Sequence, residues 1–398
     1  MTQDIFVTGA GIVSALGTGM EETLDALRGR RTGVGALRYL RTSHTEFPVG
    51  EVKMTCEEMM HLLHIPETDA TTRTSLMGML AVREAVGQAR LTEAHGLRIA
   101  LISGTTVGGM DRSEQYYLDF LTNDSKNAYI ATHDCGTCTE MIADRFGLFS
   151  MVDTISTACS SAANAIMLGA MLVREGRADI AVAGGSECIT KFHLNGFNTL
   201  MILDRALCRS FDATRAGLNL GEGAACVVLE SARTYRRRGV EPLCRLAGCG
   251  NACDAYHQTA TSPEGEGAYL AMTKALASAQ LKPADIGYIN AHGTGTLDND
   301  LSEGVAIRRV FGDGIPPVSS TKAFTGHATS AAGGIEAVIS LLALQHGFIP
   351  VNLHFSVPMP ELHFAPATDE TPPAPLRHVM SNSFGFGGND TSLILSKI

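Results

Sequence analysis

The stretch Val152–Gly176, VDTISTACSSAANAIMLGAMLVREG, leaves the chain few choices of local structure. Val152, Thr154, Ile155 and Thr157 are β-branched and favour a strand, whereas the segment up to Gly176 carries apolar residues at helical spacing. Between the two stand Cys159 and then only small residues, Ser160, Ser161, Ala162 and Ala163. Strand, abrupt turn and helix in direct succession predict a nucleophile elbow, with Cys159 at a helix N-terminus. Backbone N–H groups lack partners there, and the positive end of the helix dipole favours a thiolate.

At 398 residues the chain exceeds what one core usually covers, so two domains or two similar halves are expected. Apolar residues at 45%, charged residues at 18% and 42 glycines fit a deeply buried α/β enzyme, and exclude a disordered or coiled-coil chain. The net charge of −10 argues against general nucleic-acid binding. Tyr235-Arg236-Arg237-Arg238 is a local basic cluster; it reads as a solvated helix end, with a dock for an acidic partner as the alternative. The N-terminus MTQDIFVTGAG has neither the basic nor the apolar part of a signal peptide, and no apolar run reaches the ~20 residues of a membrane span. Ten cysteines without a secretion signal read as reduced thiols. A soluble, cytoplasmic protein is expected.

Along the chain, Asp4–Thr8 predicts a strand, and Gly9-Ala10-Gly11 after it a tight turn; Ser14 at the third fingerprint position speaks against dinucleotide binding. Helices are expected at Glu21–Arg28, Ser75–Ala89 and Asn127–Phe146, and strands at Arg98–Gly104, Asp179–Gly185 and Ala224–Glu230, with residues 30–68 irregular. Cys135-Gly136-Thr137-Cys138 lacks the second pair that a structural zinc site needs, and reads as two ordinary thiols near a helix start. Ser231–Leu243 is polar and linker-like, which places a boundary between residues 1–240 and 241–398. The second part predicts strands at Cys244–Gly250, Ile286–Ala291 and Pro317–Ser320, and helices at Gly267–Ala279, Asp300–Val310 and Ile335–His346. It closes with a strand entering the Gly385-Phe386-Gly387-Gly388 turn and an edge-type strand at Thr391–Ser396. TISTACSSAANAI in one half and SSTKAFTGHATSAAGGIEAV in the other suggest a duplicated α/β unit with the reacting groups between its copies.

Each chemically active group follows a predicted strand, where side chains are offered to a cleft. The matching segments are Thr157-Ala158-Cys159-Ser160-Ser161, then Asn290-Ala291-His292-Gly293-Thr294-Gly295-Thr296 with Asn299, Asp300 and Glu303. Ser320-Thr321-Lys322 with Gly326-His327, and Asn382-Ser383-Phe384-Gly385-Phe386-Gly387-Gly388, complete the set. In this order and over nearly the whole chain, they resemble the elongating β-ketoacyl-acyl-carrier-protein synthases of the thiolase-like condensing enzymes. Thiolases pair the first Cys with His and a second Cys, and initiating synthases show His and Asn; here the set is Cys-His-His.

The resemblance implies a thiolase-like α/β fold whose duplicated halves form a layered αβαβα core. Cys159 would carry the acyl group, with the N–H groups of Cys159 and Phe386 as oxyanion hole. His292 and His327 would hold the enolate formed when a malonyl thioester loses CO₂, with Lys322 keeping both imidazoles neutral and Glu303 pairing with Lys322. Phe386, beside Phe384, would gate an acyl tunnel. No cofactor is implied; a structural monovalent cation could lie near Asn290, Glu336, Ser381 and Asn382. An acyl carrier protein bearing acyl and malonyl groups is the expected partner, in a homodimer or a mixed dimer with a related synthase. The alternative is a chain-length-factor-like partner subunit, which typically lacks the nucleophile. Two departures stand out: Asn389-Asp390 where the family usually has Thr-Asn, and little basic character at residues 41–66 and 119–126 for docking an acidic carrier.

Overall fold

Among the described residues eleven strands form one sheet: β1 (Ile5–Ser14), β2 (Gly17–Thr18), β3 (Ile99–Gly104), β4 (Met151–Ile155), β5 (Ile180–Glu187), β6 (Gly223–Ser231), β7 (Cys244–Cys253), β8 (Tyr288–Asn290), β9 (Val318–Ser319), β10 (His378–Gly385) and β11 (Asn389–Ser396). The computed structural model describes residues 4–67, 70–372 and 376–398, so Met1–Gln3 of the N-terminal segment and Thr68 lie outside it.

The sheet runs β4-β3-β5-β6-β1-β7-β11-β10-β8-β9, with β2 against β1. Setting β2 aside, the strands of the first half read from the outer edge inward as third, second, fourth, fifth, first. Those of the second half read the same way from their own outer edge, β9-β8-β10-β11-β7. Directions also match: β3 is parallel to β4 and β5, as β8 is to β9 and β10, and the remaining pairs in each half are antiparallel. A short antiparallel seam, Ile5–Val7 against Leu246–Cys244, joins the copies. The unit is duplicated, as its sequence echo suggested.

The crossover between the third and fourth strand of each copy is a helix, Ser161–Arg174 in the first and Ala332–His346 in the second. Both are apolar almost all round, which requires burial on every side. They pack on each other and on the inner faces of both half-sheets, in the largest core cluster. Helices Arg73–Gln88 and Cys135–Phe146 cover one outer face, and Glu266–Ala279 and Leu297–Phe311 the other. Five layers result, the thiolase-like αβαβα arrangement. No helix among the described residues is long and apolar enough to cross a membrane.

Four local expectations are corrected. Gly9 and Gly11 make no turn, because β1 continues through them to Ser14, paired with β6. They are glycines because helix Arg73–Gln88 lies against them, and a Cβ on Gly11 would stand 2.0 Å from the Ala81 carbonyl oxygen. Gly11→Ala is expected to cost at least about 1–3 kcal/mol, read as a lowered urea midpoint. Thr391–Ser396 is no edge, since β11 lies between β7 and β10. Ser231–Leu243 holds a helix, Ala232–Arg238, whose last arginine reaches the buried Glu230 at 3.1 Å. Within residues 30–68 a helix forms at Cys56–Leu63, nucleated by a capping box of Thr55 and Glu58.

Candidate active site

The elbow forms as its residue types dictate. Ala158 has φ of 51°, a left-handed conformation that costs an L-residue roughly 1–2 kcal/mol. The small hydroxyls after the cysteine hold it there. Thr157 N–H donates to Ser161 Oγ (2.9 Å), Ser161 Oγ donates to Ala158 O (2.6 Å), and Ser160 Oγ donates to Thr157 O (2.8 Å). Gly385 closes over the turn, where a Cβ would lie 2.9 Å from Thr157 O, so no larger residue fits. Cys159 is thereby fixed at the head of one central helix, and His327 stands shortly before the other. The duplicated crossover brings them together: His327 Nε2 is 3.1 Å from Cys159 Sγ.

His292 follows β8 and stands edge-on to His327, with ring centroids 5.2 Å apart. Its Nδ1 is 3.2 Å from Lys322 Nζ. An ammonium only donates, so Nδ1 accepts and the ring proton sits on Nε2, the nitrogen free for the cleft. Nothing locks His327 in this way, because its buried Nδ1 has no partner among the described residues. One imidazole is a fixed donor; the other can exchange donor and acceptor at Nε2. The ligand atoms of Cys159, His292 and His327 lie within 4.8 Å of one another, a spacing that would also suit a metal ion.

Charge in this cluster is set by burial. Desolvation pushes the Cys159 thiol up to about 12, outweighing the pull of Lys322 and of the Phe386 N–H. The thiolate expected from the helix dipole is therefore not the resting form. Desolvation, then Lys322, holds both imidazoles well below their ordinary value, so both are neutral. A protonated thiol against a neutral imidazole is a nucleophile paired with its general base.

Lys322 is buried and donates to His292 O (2.5 Å) and to the carboxylate of Glu336. Glu336, in the second turn of the second central helix, is its ion-pair partner. The expected pairing with Glu303 is not formed. Glu303 instead accepts the N–H groups of His292 (2.9 Å) and Gly293 (2.7 Å) and the amide of Asn382 (3.1 Å), which fixes the turn that carries His292. Burial pushes its carboxyl up to about 7, and the two N–H donors pull it back.

Phe384 packs on His292, with centroids 5.9 Å apart, and Phe386 stacks on Phe197 at 5.9 Å. Phe197 carried no signal in the sequence; only its place on helix Lys191–Thr199 beside the loop reveals it. The four positions offered for a monovalent cation differ in their contacts: Ser381 Oγ is buried without a partner among the described residues, whereas the side chains of Asn290, Glu336 and Asn382 are engaged. On β10 the side chains of Ser381 and Asn382 face opposite ways, as strand alternation demands. Asn382 turns to Glu303 and Ser392, the Glu336 carboxylate is taken by Lys322, and the Asn290 amide donates to Glu336 O at 3.2 Å. Cys135 and Cys138 start a helix, with Cys138 against Thr72 Oγ1 at 3.3 Å.

A cavity of about 360 Å³ opens onto Cys159, His292 and His327. Phe197, Phe384, Phe386, Leu200, Ile202 and Leu218 give it apolar walls, and Thr259–Thr261, Thr294 and Thr296 a polar side. A buried thiol, a base and a locked N–H donor facing one cavity suit transfer of an acyl group with stabilisation of an oxyanion.

Models of the Beta-ketoacyl synthase N-terminal and C-terminal domains match residues 2–234 and 243–356. The chain belongs to the β-ketoacyl synthase family, whose members are acyltransferases of the condensing type. It is 33% identical to Nodulation protein E of Rhizobium meliloti (strain 1021) over 413 residues, covering 100% of both chains. It is 32% identical to 3-oxoacyl-[acyl-carrier-protein] synthase 2 of Staphylococcus aureus (strain COL), covering 99% of this chain and 98% of that one. The solved structure of the ishigamide ketosynthase/chain length factor superposes with a TM-score of 0.92 at 30% identity, covering 100% of both chains.

Proposed function

We propose that the chain catalyses the decarboxylative Claisen condensation of an acyl group, held as a thioester on Cys159, with a malonyl group on an acyl carrier protein. The observation that carries this reading is the 3.1 Å contact of Cys159 Sγ with His327 Nε2, beside a second histidine whose tautomer Lys322 sets. In the first half-reaction the thiol proton passes to His327 as sulfur attacks the acyl thioester. The Cys159 and Phe386 N–H groups hold the oxyanion, and the carrier thiol leaves with the proton. In the second, the bond to the malonyl carboxylate breaks and CO₂ departs. The electron pair becomes an enolate whose oxygen receives Nε2–H from His292 and His327. The enolate carbon attacks the Cys159 thioester, and the C–S bond breaks with its electron pair on sulfur. The β-ketoacyl product leaves on the carrier, and the Cys159 thiolate takes up one proton from solvent to restore the resting thiol.

This chemistry supports a place in fatty-acid or related polyene and polyketide synthesis, in the cytoplasm. Residues 1–240 and 241–398 serve as the two halves, one supplying the nucleophile and the other both histidines. A dimer, homodimeric or mixed with a related synthase, is supported by β4, whose outer side has no strand partner among the described residues. Val152 on that edge and Tyr117, Leu118, Leu121 and Ile130 elsewhere are exposed. A chain-length-factor role leaves the Cys159–His327 pair without purpose.

His292→Ala and His327→Ala are each expected to lower malonyl decarboxylation by about a hundredfold or more. CO₂ release from malonyl-carrier protein measures it; full activity in both variants would overturn the enolate assignment.

A further inference from the structure

Asp390 is a buried carboxyl that the condensation does not use. It stands on β11 opposite Phe384 of β10 and Ala252 of β7, directly behind the loop Phe386–Gly388. A methyl on Gly267 would come 2.2 Å from its Oδ2, so helix Glu266–Ala279 lies tightly over it. The charged groups that face it are two further acids, Asp254 beyond the end of β7 and Glu303 on helix Leu297–Phe311. On the covering helix Glu266 turns away to Arg309, and Lys274 to the carbonyl of Asn251. Among the described residues no cation pairs with Asp390 or Asp254. Burial first, then Asp254 and Glu303, push the Asp390 carboxyl up to about 8.

Asp254 is also the post to which the loop is tied. Its N–H donates to Gly388 O at 2.8 Å, and Gly387 N–H donates to Gln258 O at 2.8 Å. Its carboxylate accepts the N–H (2.7 Å) and Oγ (2.7 Å) of Ser262 and the N–H of Gly267 (3.2 Å). The strand pair that carries Phe386 thus ends against a post that shares its pocket with another acid.

We propose that Asp390 is a positioning residue for the Phe386 loop: as the neutral acid it lets Asp254 stand close and clamp Gly388, and as the anion it repels Asp254 and slackens the clamp. Slackening moves the Phe386 N–H away from Cys159 and unstacks its ring from Phe197. The proposal rests on the reading of Phe386 as part of the acylation site. Below the titration of Asp390 the loop is held; above it, acylation falls. Asparagine has the shape of the neutral acid at every pH, so Asp390→Asn removes the dependence.

The test measures acylation of Cys159 by an acyl-carrier thioester across pH for the wild type, D390N and D254N. Hydrogen exchange at residues 385–389, corrected for intrinsic rates, is followed in parallel. The wild-type rate is expected to fall past about pH 8, by roughly tenfold one unit above the midpoint, with loss of protection in the loop. D390N keeps its rate and its protection there, and so does D254N, because the ionised Asp390 then has no charged Asp254 to repel. An alkaline fall in D390N equal to the wild type's overturns the proposal. If no variant is acylated at any pH, the acyl-transfer reading fails, and the exchange data alone decide on Asp390. Should D390N not fold, an alkaline fall in D254N equal to the wild type's overturns the proposal.

Discussion

Cys159→Ala is expected to abolish acyl-enzyme formation and to lower condensation by more than about a thousandfold. Intact-mass spectrometry after incubation with acyl-carrier thioester reads the first effect, as loss of the single added acyl mass. Among the described residues Cys159 is the one thiol that faces an imidazole in the cavity. Cys226 and Cys244 are buried among apolar side chains with thiols raised beyond the ordinary range. Cys253 is exposed, and its sulfur contacts only the Gly387 carbonyl, at 3.8 Å. An acyl mass retained by the alanine variant would place the nucleophile elsewhere and remove the mechanism. Because the resting thiol is protonated, His327→Ala should also slow acylation, and not only decarboxylation.

The second large effect is expected at Glu336. Its truncation to alanine leaves Lys322 as an uncompensated charge beneath both histidines, at a cost of about 3–5 kcal/mol in stability. The urea midpoint measures that cost. Glu336→Gln, which keeps the shape and a hydrogen-bond acceptor, should lose less. Had Lys322 leaned on Glu303, truncating Glu303 would show the same signature. Glu303→Ala should instead free the Gly293 turn and impair decarboxylation through a displaced His292. Equal stability of Glu336→Ala and the wild type would show that the pair contributes nothing to the fold.

The difference between these two glutamates marks what a sequence makes legible. The elbow, both histidines and Lys322 stand in short motifs whose order alone suggested the site, and the repeated strand–turn–helix pattern suggested the duplicated fold. Glu336 is a single acid in an apolar helix, and its partner lies on another element, so no local spacing announces the contact. Phe197 was silent for the same reason. Gly9 and Gly11 gave a true signal with the wrong cause, since a glycine needed for a helix to approach looks like a glycine needed for a turn. The helix dipole was real and was outweighed, because the depth at which Cys159 would be buried depends on the half of the chain not yet read. β11 looked like an edge for want of knowing that β7 and β10 flank it.

The seam has a consequence for how the protein is made. Ile5 pairs with Ser231 on one side and Leu246 on the other, so β1, apart from the two residues that meet β2, has no strand partner until more than two hundred further residues exist. At synthesis rates of about 5–20 residues per second, that wait is on the order of ten to forty seconds. Throughout it the apolar run Ile5–Ile12 stays without its strand partners, a natural segment for a ribosome-associated chaperone to cover. The same strand then closes the first half-sheet and joins it to the second, so that the two half-sheets take their places on either side of the central helices that follow Cys159 and His327.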